Sequence, residues 1–295
     1  MGKPHGLTRY DMLVREGCNA PQKVLPQIFG RLGHRNPVTG TAPDGTPFSA
    51  KNLLPAFGKA LDHMRDEKDH DSDVAAGMTF FGQFIDHDVT LDATSEIGRR
   101  IDPATIRNVR TPGLDLDCVY GDGAEASPHL YAKKPRNHFL AFGHKDNPLD
   151  LARTSHGAAL IGDFRNDENV VLSQIQGLFI TMHNLLMTAF EDKEHLCHKG
   201  LAGVRSRAVL EGITPGMMVF QSARRVLRQH YQWCVLHDFL PSFVDKKVLD
   251  HVMGEFKANR YPAPFGSDSP VMPVEFSGAA FRFGHATVQS KYVIC

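Results

Sequence analysis

Apolar residues at Val74, Met78, Phe81 and Ile85 fall four, three and four positions apart, the period of a helix with one buried face. The pattern predicts a helix over 72–88, with Asp71-Ser72-Asp73 supplying N-cap candidates. A second helix is predicted after Arg165-Asn166-Asp167-Glu168, where Val171, Ile175, Leu178, Met182 and Leu185 repeat at four, three, four and three. Its acidic first turn suits the helix dipole. A third opens at Thr214-Pro215, a cap followed by proline at the first helical position, and runs past Trp233 toward Pro241. A fourth is expected over 275–289.

Between the first two helices, residues 89–165 carry Pro103, Pro112, Gly113, Gly121, Gly123, Pro128, Pro135 and Pro148, and read as mostly loop. So long a loop region needs a functional reason or something that ties it down. Residues 1–50 read as an irregular N-terminal arm, strand patterns are short, and no internal repeat is found. The expected fold is mainly α with long loops and little β-structure, over a single domain spanning 1–295.

Composition narrows the function classes. Lysine plus arginine balances aspartate plus glutamate at 33 each, so no overall charge points to nucleic acid or an anionic surface. No run approaches the roughly 18 apolar residues of a membrane span. Five cysteines (18, 118, 197, 234 and 295) are odd in number, with no C-x-x-C pair, which argues against a disulfide framework or a cysteine zinc site. The first six residues lack the apolar core of a signal peptide, and Gly6 stands where a myristoylation motif needs Ser or Thr. Cytoplasmic localisation is the expectation, with leaderless secretion as the alternative.

Candidate chemistry centres on Phe80-Phe81-Gly82-Gln83-Phe84-Ile85-Asp86-His87-Asp88. Gln83 and His87 share one helix face, and two carboxylates bracket the histidine. The plain alternative is a core helix with one satisfied histidine. Three further segments accompany it: Thr111-Pro112-Gly113-Leu114-Asp115-Leu116-Asp117-Cys118-Val119-Tyr120-Gly121; Gly162-Asp163-Phe164-Arg165-Asn166-Asp167-Glu168-Asn169, followed by His183-Asn184; and Phe281-Arg282-Phe283-Gly284-His285. In this order the four segments resemble the distal-histidine helix, calcium loop, catalytic-arginine helix and proximal-histidine segment of the animal-type haem peroxidase superfamily. The resemblance covers about residues 50–290.

The resemblance implies haem b held by His285, with Gly284 allowing close packing beside it. His87 would be the acid–base group on the open side and Arg165 the fixed charge beside it. Gln83 would hydrogen-bond water, peroxide or halide. Asp86 and Glu168 match positions of ester links to haem, and Arg282 a partner of a haem propionate. Asn169 replaces the methionine of some members, so a sulfonium link is not expected. Asp88, Thr111, the Gly113 carbonyl, Asp115 and Asp117 would hold calcium; the usual loop has serine where Asp117 stands. The implied partners are hydrogen peroxide and a small donor (phenol, aromatic amine or halide).

Several plainer readings compete. Asp115 and Asp117 are also turn formers, Arg165 and Glu168 an ordinary i,i+3 ion pair, and His183 a packing residue. Arg224-Arg225 and Lys246-Lys247 read as solvated, and Phe220, Trp233 and Met217-Met218 as core. A fatty-acid dioxygenase would carry tyrosine where Arg282 stands, and a non-catalytic haem-binding or adhesion-type relic is a third reading. Members of the superfamily continue well past the proximal histidine and supply an asparagine that bonds it. A truncated domain is therefore the expectation, with association through the surface so exposed.

Overall fold

The computed structural model describes residues 73–92, 105–134, 138–191, 214–258 and 271–289. Shorter pieces at 27–29, 39–41, 47–49 and 291–293 and the isolated residues 45, 55, 58, 59, 102, 136 and 260 complete it. Most of the expected N-terminal arm, and Asp71 and Ser72, lie outside the described residues.

Two-residue strand β1 (Gln27–Ile28) and the pair β2 (Thr39–Thr41) and β3 (Pro47–Ser49) come first, followed by helix α1 (Gly77–Val89). β4 (Arg107–Asn108) pairs antiparallel with β1, and the short helix α2 spans Asp117–Tyr120. β5 (Phe142–His144) and β6 (Asn147–Leu151) form a hairpin before a 3-10 turn at Phe164–Asp167 and the long helix α3 (Val170–Glu191). Then come α4 (Pro215–Cys234), a π-turn at Val235–Phe239, and helices α5 (Leu240–Phe243), α6 (Lys246–Lys257) and α7 (Val274–Gly278). A 3-10 segment, Ala280–Thr287, follows. The described chain is mainly α, with three two-stranded sheets only.

Three helices enclose the core. Phe84 of α1 stacks on Phe179 of α3 with ring centres 4.7 Å apart, and Tyr231 of α4 meets both rings edge-on. α1 begins five residues later than its period suggested, at Gly77 after Ala76, which offers no side-chain cap, so Asp73 stays outside it. The first turn of α3 is not acidic either: Asp167 and Glu168 belong to the turn before it, and Asn169 Oδ1 accepts the Leu172 N–H at 2.9 Å. α4 does open as expected, with Thr214 Oγ1 accepting the Met217 N–H at 3.2 Å. Its π-turn carries the chain on through Pro241. The fourth expected helix breaks at Ala279 into α7 and the 3-10 segment.

The buried face of α3 differs from the apolar stripe the sequence suggested. Leu178 and Leu185 are 57% and 64% exposed, whereas Gln176 and His183 are fully buried. The helix turns its polar stripe inward because that stripe finds fixed hydrogen-bond partners, which makes burial tolerable. Arg224, expected in solvent, is buried at 1% exposure, with its guanidinium over the Tyr120 ring and 3.8 Å from Asp117. Trp233, expected in the core, is 55% exposed and packs on His237. Lys246 and Lys247 are exposed as expected.

Candidate functional site

A cavity of about 330 Å³ opens between α1, the turn before α3, the π-turn and the C-terminal 3-10 segment. Gln83, Asp86, His87, Arg165, Glu168, Arg282, Gly284 and His285 all line it. Phe239, Phe243, Phe281 and Phe283 make its apolar wall. Gly82 permits this arrangement, because a Cβ there would stand 2.9 Å from Phe239 Cε2. Thr79 and Thr287 tie the two sides together, Oγ1 to Oγ1 at 2.9 Å.

His87 is 5% exposed, and its Nδ1 lies 2.8 Å from Asn166 Oδ1. An amide oxygen only accepts, so this bond places the ring proton on Nδ1 and leaves Nε2 with a lone pair. Burial, then the Arg165 charge, push the imidazole below its ordinary pKa and favour the neutral ring. Asp163 orients Arg165. Its carboxylate accepts Arg165 Nε at 3.0 Å and Nη2 at 2.8 Å, and Arg110 Nη2 at 2.7 Å. Burial opposes the Asp163 charge, but hydrogen bonding to Arg165 and Arg110 overcomes it and holds the carboxyl below its usual range. Arg165 Nη2 also reaches the His87 and Thr90 carbonyls, at 3.1 and 2.7 Å. Nη1 enters none of these bonds.

Glu168 pairs with Gln83, whose Nε2 donates to Oε2 at 2.9 Å, and not with Arg165 as the i,i+3 alternative had it. Asn169 Nδ2 donates to the other end of the Gln83 amide at 3.2 Å, so Gln83 is held from both sides. Asp86 Oδ1 accepts Thr90 Oγ1 at 2.9 Å, and Oδ2 lies 3.5 Å from Arg282 Nη1. His285 is exposed to the cavity, and neither of its nitrogens is hydrogen-bonded among the described residues. A Cβ on Gly284 would meet no atom within 4 Å, so the close packing expected there is not made by described protein atoms.

The loop expected to hold calcium packs beneath α1. Asp88, Asp115 and Asp117 are all buried, and Thr111 Oγ1 donates to Asp115 Oδ2 at 2.5 Å. The Gly113 carbonyl accepts Gln232 Nε2 at 3.2 Å. Burial, then the facing carboxylates of Asp115 and Asp117, push Asp88 up to about 7. Leu114 and Leu116 take positive φ angles of 49° and 62°, a strained backbone for branched residues that surrounding structure must enforce. Among the described residues, no group of three or more His, Cys, Asp or Glu is arranged to hold a metal ion.

Sequence reasoning missed Asn166, Gln176, Asp163 and Arg110 as site residues. The available signal was the stripe Ser173, Gln176 and His183 on an otherwise apolar helix, since polar groups at core spacing require built partners.

Two imidazoles, a fixed guanidinium and paired carboxylates around one aromatic-walled cavity make a donor set suited to an iron porphyrin. Among the described residues the His285 ring makes no hydrogen bond, which leaves it able to ligate, and His87 lines the same cavity with a lone pair on Nε2. The chain belongs to the animal haem peroxidase family, whose sequence profile matches residues 95–295. That range includes Arg165, Glu168, Arg282 and His285, while α1 with His87 precedes it. Similar curated proteins include the peroxidasin homolog pxn-2 of Caenorhabditis elegans, 23% identical over 215 residues. The match covers 67% of this chain and 14% of that protein. The thyroid peroxidase of Sus scrofa is 29% identical over 132 residues, covering 44% of this chain and 12% of the relative. Peroxidase A from Dictyostelium discoideum is a solved structure at 17% identity, with a TM-score of 0.43, covering 90% of this chain and 54% of that one.

Proposed function

We propose that this chain is a haem-dependent peroxidase that reduces hydrogen peroxide and oxidises a small donor such as a phenol, an aromatic amine or a halide. The observation that carries this reading is the single cavity lined by His87, Arg165, Arg282 and His285. His285 would ligate the iron, Arg282 would face a propionate, and Asp86 and Glu168 would meet the porphyrin edge where ester links are made. When bound, haem supplies a redox-active iron with one open position for peroxide.

The chain's own residues manage protons and charge. His87 Nε2 takes a proton from one peroxide oxygen and returns it to the other as that oxygen departs as water. Arg165 Nη1 stabilises the negative charge that develops as the O–O bond lengthens. Its rigid seating on Asp163 means little reorganisation is needed at that moment. Gln83 shapes the pocket beside them and keeps donor and acceptor capacity beyond its two amide contacts. Arg282 in the place of a tyrosine disfavours dioxygenation.

Calcium at the loop of Thr111, Gly113, Asp115 and Asp117 with Asp88 is part of the same reading. Three buried carboxylates in mutual repulsion support it, because a divalent cation would relieve that repulsion, and its binding energy would offset the backbone strain at Leu114 and Leu116. Its role would be to clip the loop to the helix that carries His87. The iron-site assignment is tested by absorption spectroscopy on two variants of the haem-supplied protein. His87→Ala should keep its Soret band and lose the spectral change on peroxide addition. His285→Ala should weaken haem retention, read as a lower haem content after gel filtration of protein not yet exposed to peroxide. Equal behaviour of the two variants would overturn the assignment of sides.

A further inference from the structure

We infer that Asn166 and Gln176 are positioning residues that fix the tautomer of His87, through an amide relay anchored on the backbone carbonyl of Cys118. The direction of every bond follows from that anchor. A carbonyl oxygen can only accept, so Gln176 presents Nε2 to the Cys118 oxygen, at 3.4 Å. The Gln176 oxygen must then point the other way, where it accepts Asn166 Nδ2 at 2.8 Å. Asn166 is left to offer Oδ1 to His87 Nδ1, at 2.8 Å. Only a ring protonated at Nδ1 satisfies that contact, and its Nε2 lone pair then faces the cavity.

Burial makes the relay obligatory. Asn166 and Gln176 have no exposed surface, so no water can replace a lost partner. The relay also explains why α3 buries Gln176 while Leu178 and Leu185 stay exposed. It further ties the acid–base imidazole to α2, whose first residue, Asp117, belongs to the acidic loop. Gly162 closes this junction: a Cβ there would lie 2.7 Å from the Asp117 and Cys118 carbonyl oxygens. The carbonyl that anchors the relay is thus packed directly against the segment that carries Asp163, Arg165 and Asn166.

This inference rests on His87 being the proton-transfer group of the proposed peroxidase, and two readouts keep the two claims apart. The first is nitrogen-15 NMR of the haem-free 295-residue chain above neutral pH, which reports directly which ring nitrogen of His87 carries the proton. The wild type should show the Nδ1–H form. Asn166→Leu should lose that preference, and Asn166→Asp, which still accepts from Nδ1, should keep it, with Gln176 turning its amide to donate to the new carboxylate and giving up the long 3.4 Å bond to Cys118. An Nε2–H form in the wild type would overturn the relay even if no variant folds. So would a tautomer indifferent to Asn166→Leu.

The second readout is the bimolecular rate of peroxide reaction in haem-supplied protein. It should fall roughly 10- to 100-fold in Asn166→Leu with haem retention unchanged, and recover most of its value in Asn166→Asp. A merely structural asparagine would give no such rescue, and its absence would overturn the positioning role. If the tautomer behaves as described but His87→Ala leaves peroxide reactivity intact, the functional reading fails while the relay stands.

Discussion

Asp163 is the residue on which two cations converge, with Arg110 at 2.7 Å and Arg165 at 2.8 Å and its own side chain fully buried. Removing one partner of a buried pair strands the other charge, which costs about 3–5 kcal/mol. Asp163→Ala strands two guanidiniums, so urea denaturation should show a loss at or above that range. Asp163→Asn keeps the shape and part of the hydrogen bonding and should lose less. Both variants should also slow peroxide reaction, because Arg165 loses the fork that aims it. An Asp163→Ala protein with the unfolding midpoint of the wild type would show that Arg165 is held by the His87 and Thr90 carbonyls alone.

At the level of elements, the packing of loop on helix decides what the site can do. Gly162→Ala forces a Cβ into two backbone carbonyls and should destabilise by about 1–3 kcal/mol, at the upper end because backbone cannot swing aside. Gly254, inside α6 with open space around it, gives the opposite sign. Gly254→Ala should stabilise by roughly 0.5–1 kcal/mol through helix propensity, and paired thermal melts of the two variants check the contrast. If the acidic loop binds calcium, chelation should lower the wild-type melting temperature and added calcium restore it. A melt indifferent to both would remove calcium from the proposal.

The same elements show what was legible in the sequence. α1 and α4 could be read from period and cap, because Met78, Phe81 and Ile85 obey a single helical stripe and Thr214-Pro215 is a local signal. The inward face of α3 could not, since Val171, Ile175, Leu178, Met182 and Leu185 make a cleaner stripe than the mixed face it buries. Tertiary hydrogen bonds decided that face, and no window of local sequence contains Cys118 and Asn166 together with Gln176. Arg224 was misread for the same reason: its partners, Asp117 and Tyr120, lie about a hundred positions away.

Across the whole molecule, the buried histidines make stability depend on pH above the window of Asp163, in a range where Asp88, raised to about 7, acts with the opposite sign. His183 is fully buried between the Tyr120 hydroxyl at 3.0 Å and the His138 carbonyl at 3.2 Å. Burial pushes its pKa down from 6.5 to about 4. Between these values the unfolded chain binds the proton and the folded chain resists it, so stability rises with pH across the window. Acidification from 6.5 to about 4 should therefore cost on the order of 3 kcal/mol at this residue, with no further loss from it below. His87 and His138 are shifted in the same direction and add to the slope. Asp163 acts lower: its depressed carboxyl contributes stability that is complete above the ordinary aspartate value of 3.8 and is lost as pH falls through its folded pKa. Acid unfolding should thus show an upper stage, in which the histidine slope is opposed by Asp88, followed by a lower stage at Asp163. His183→Gln can keep both hydrogen bonds without a titrating ring, so it should flatten the upper stage and leave the lower one. Urea midpoints measured at intervals between pH 7 and 4 would decide it. A His183→Gln profile parallel to the wild type would assign the upper stage to the other two imidazoles.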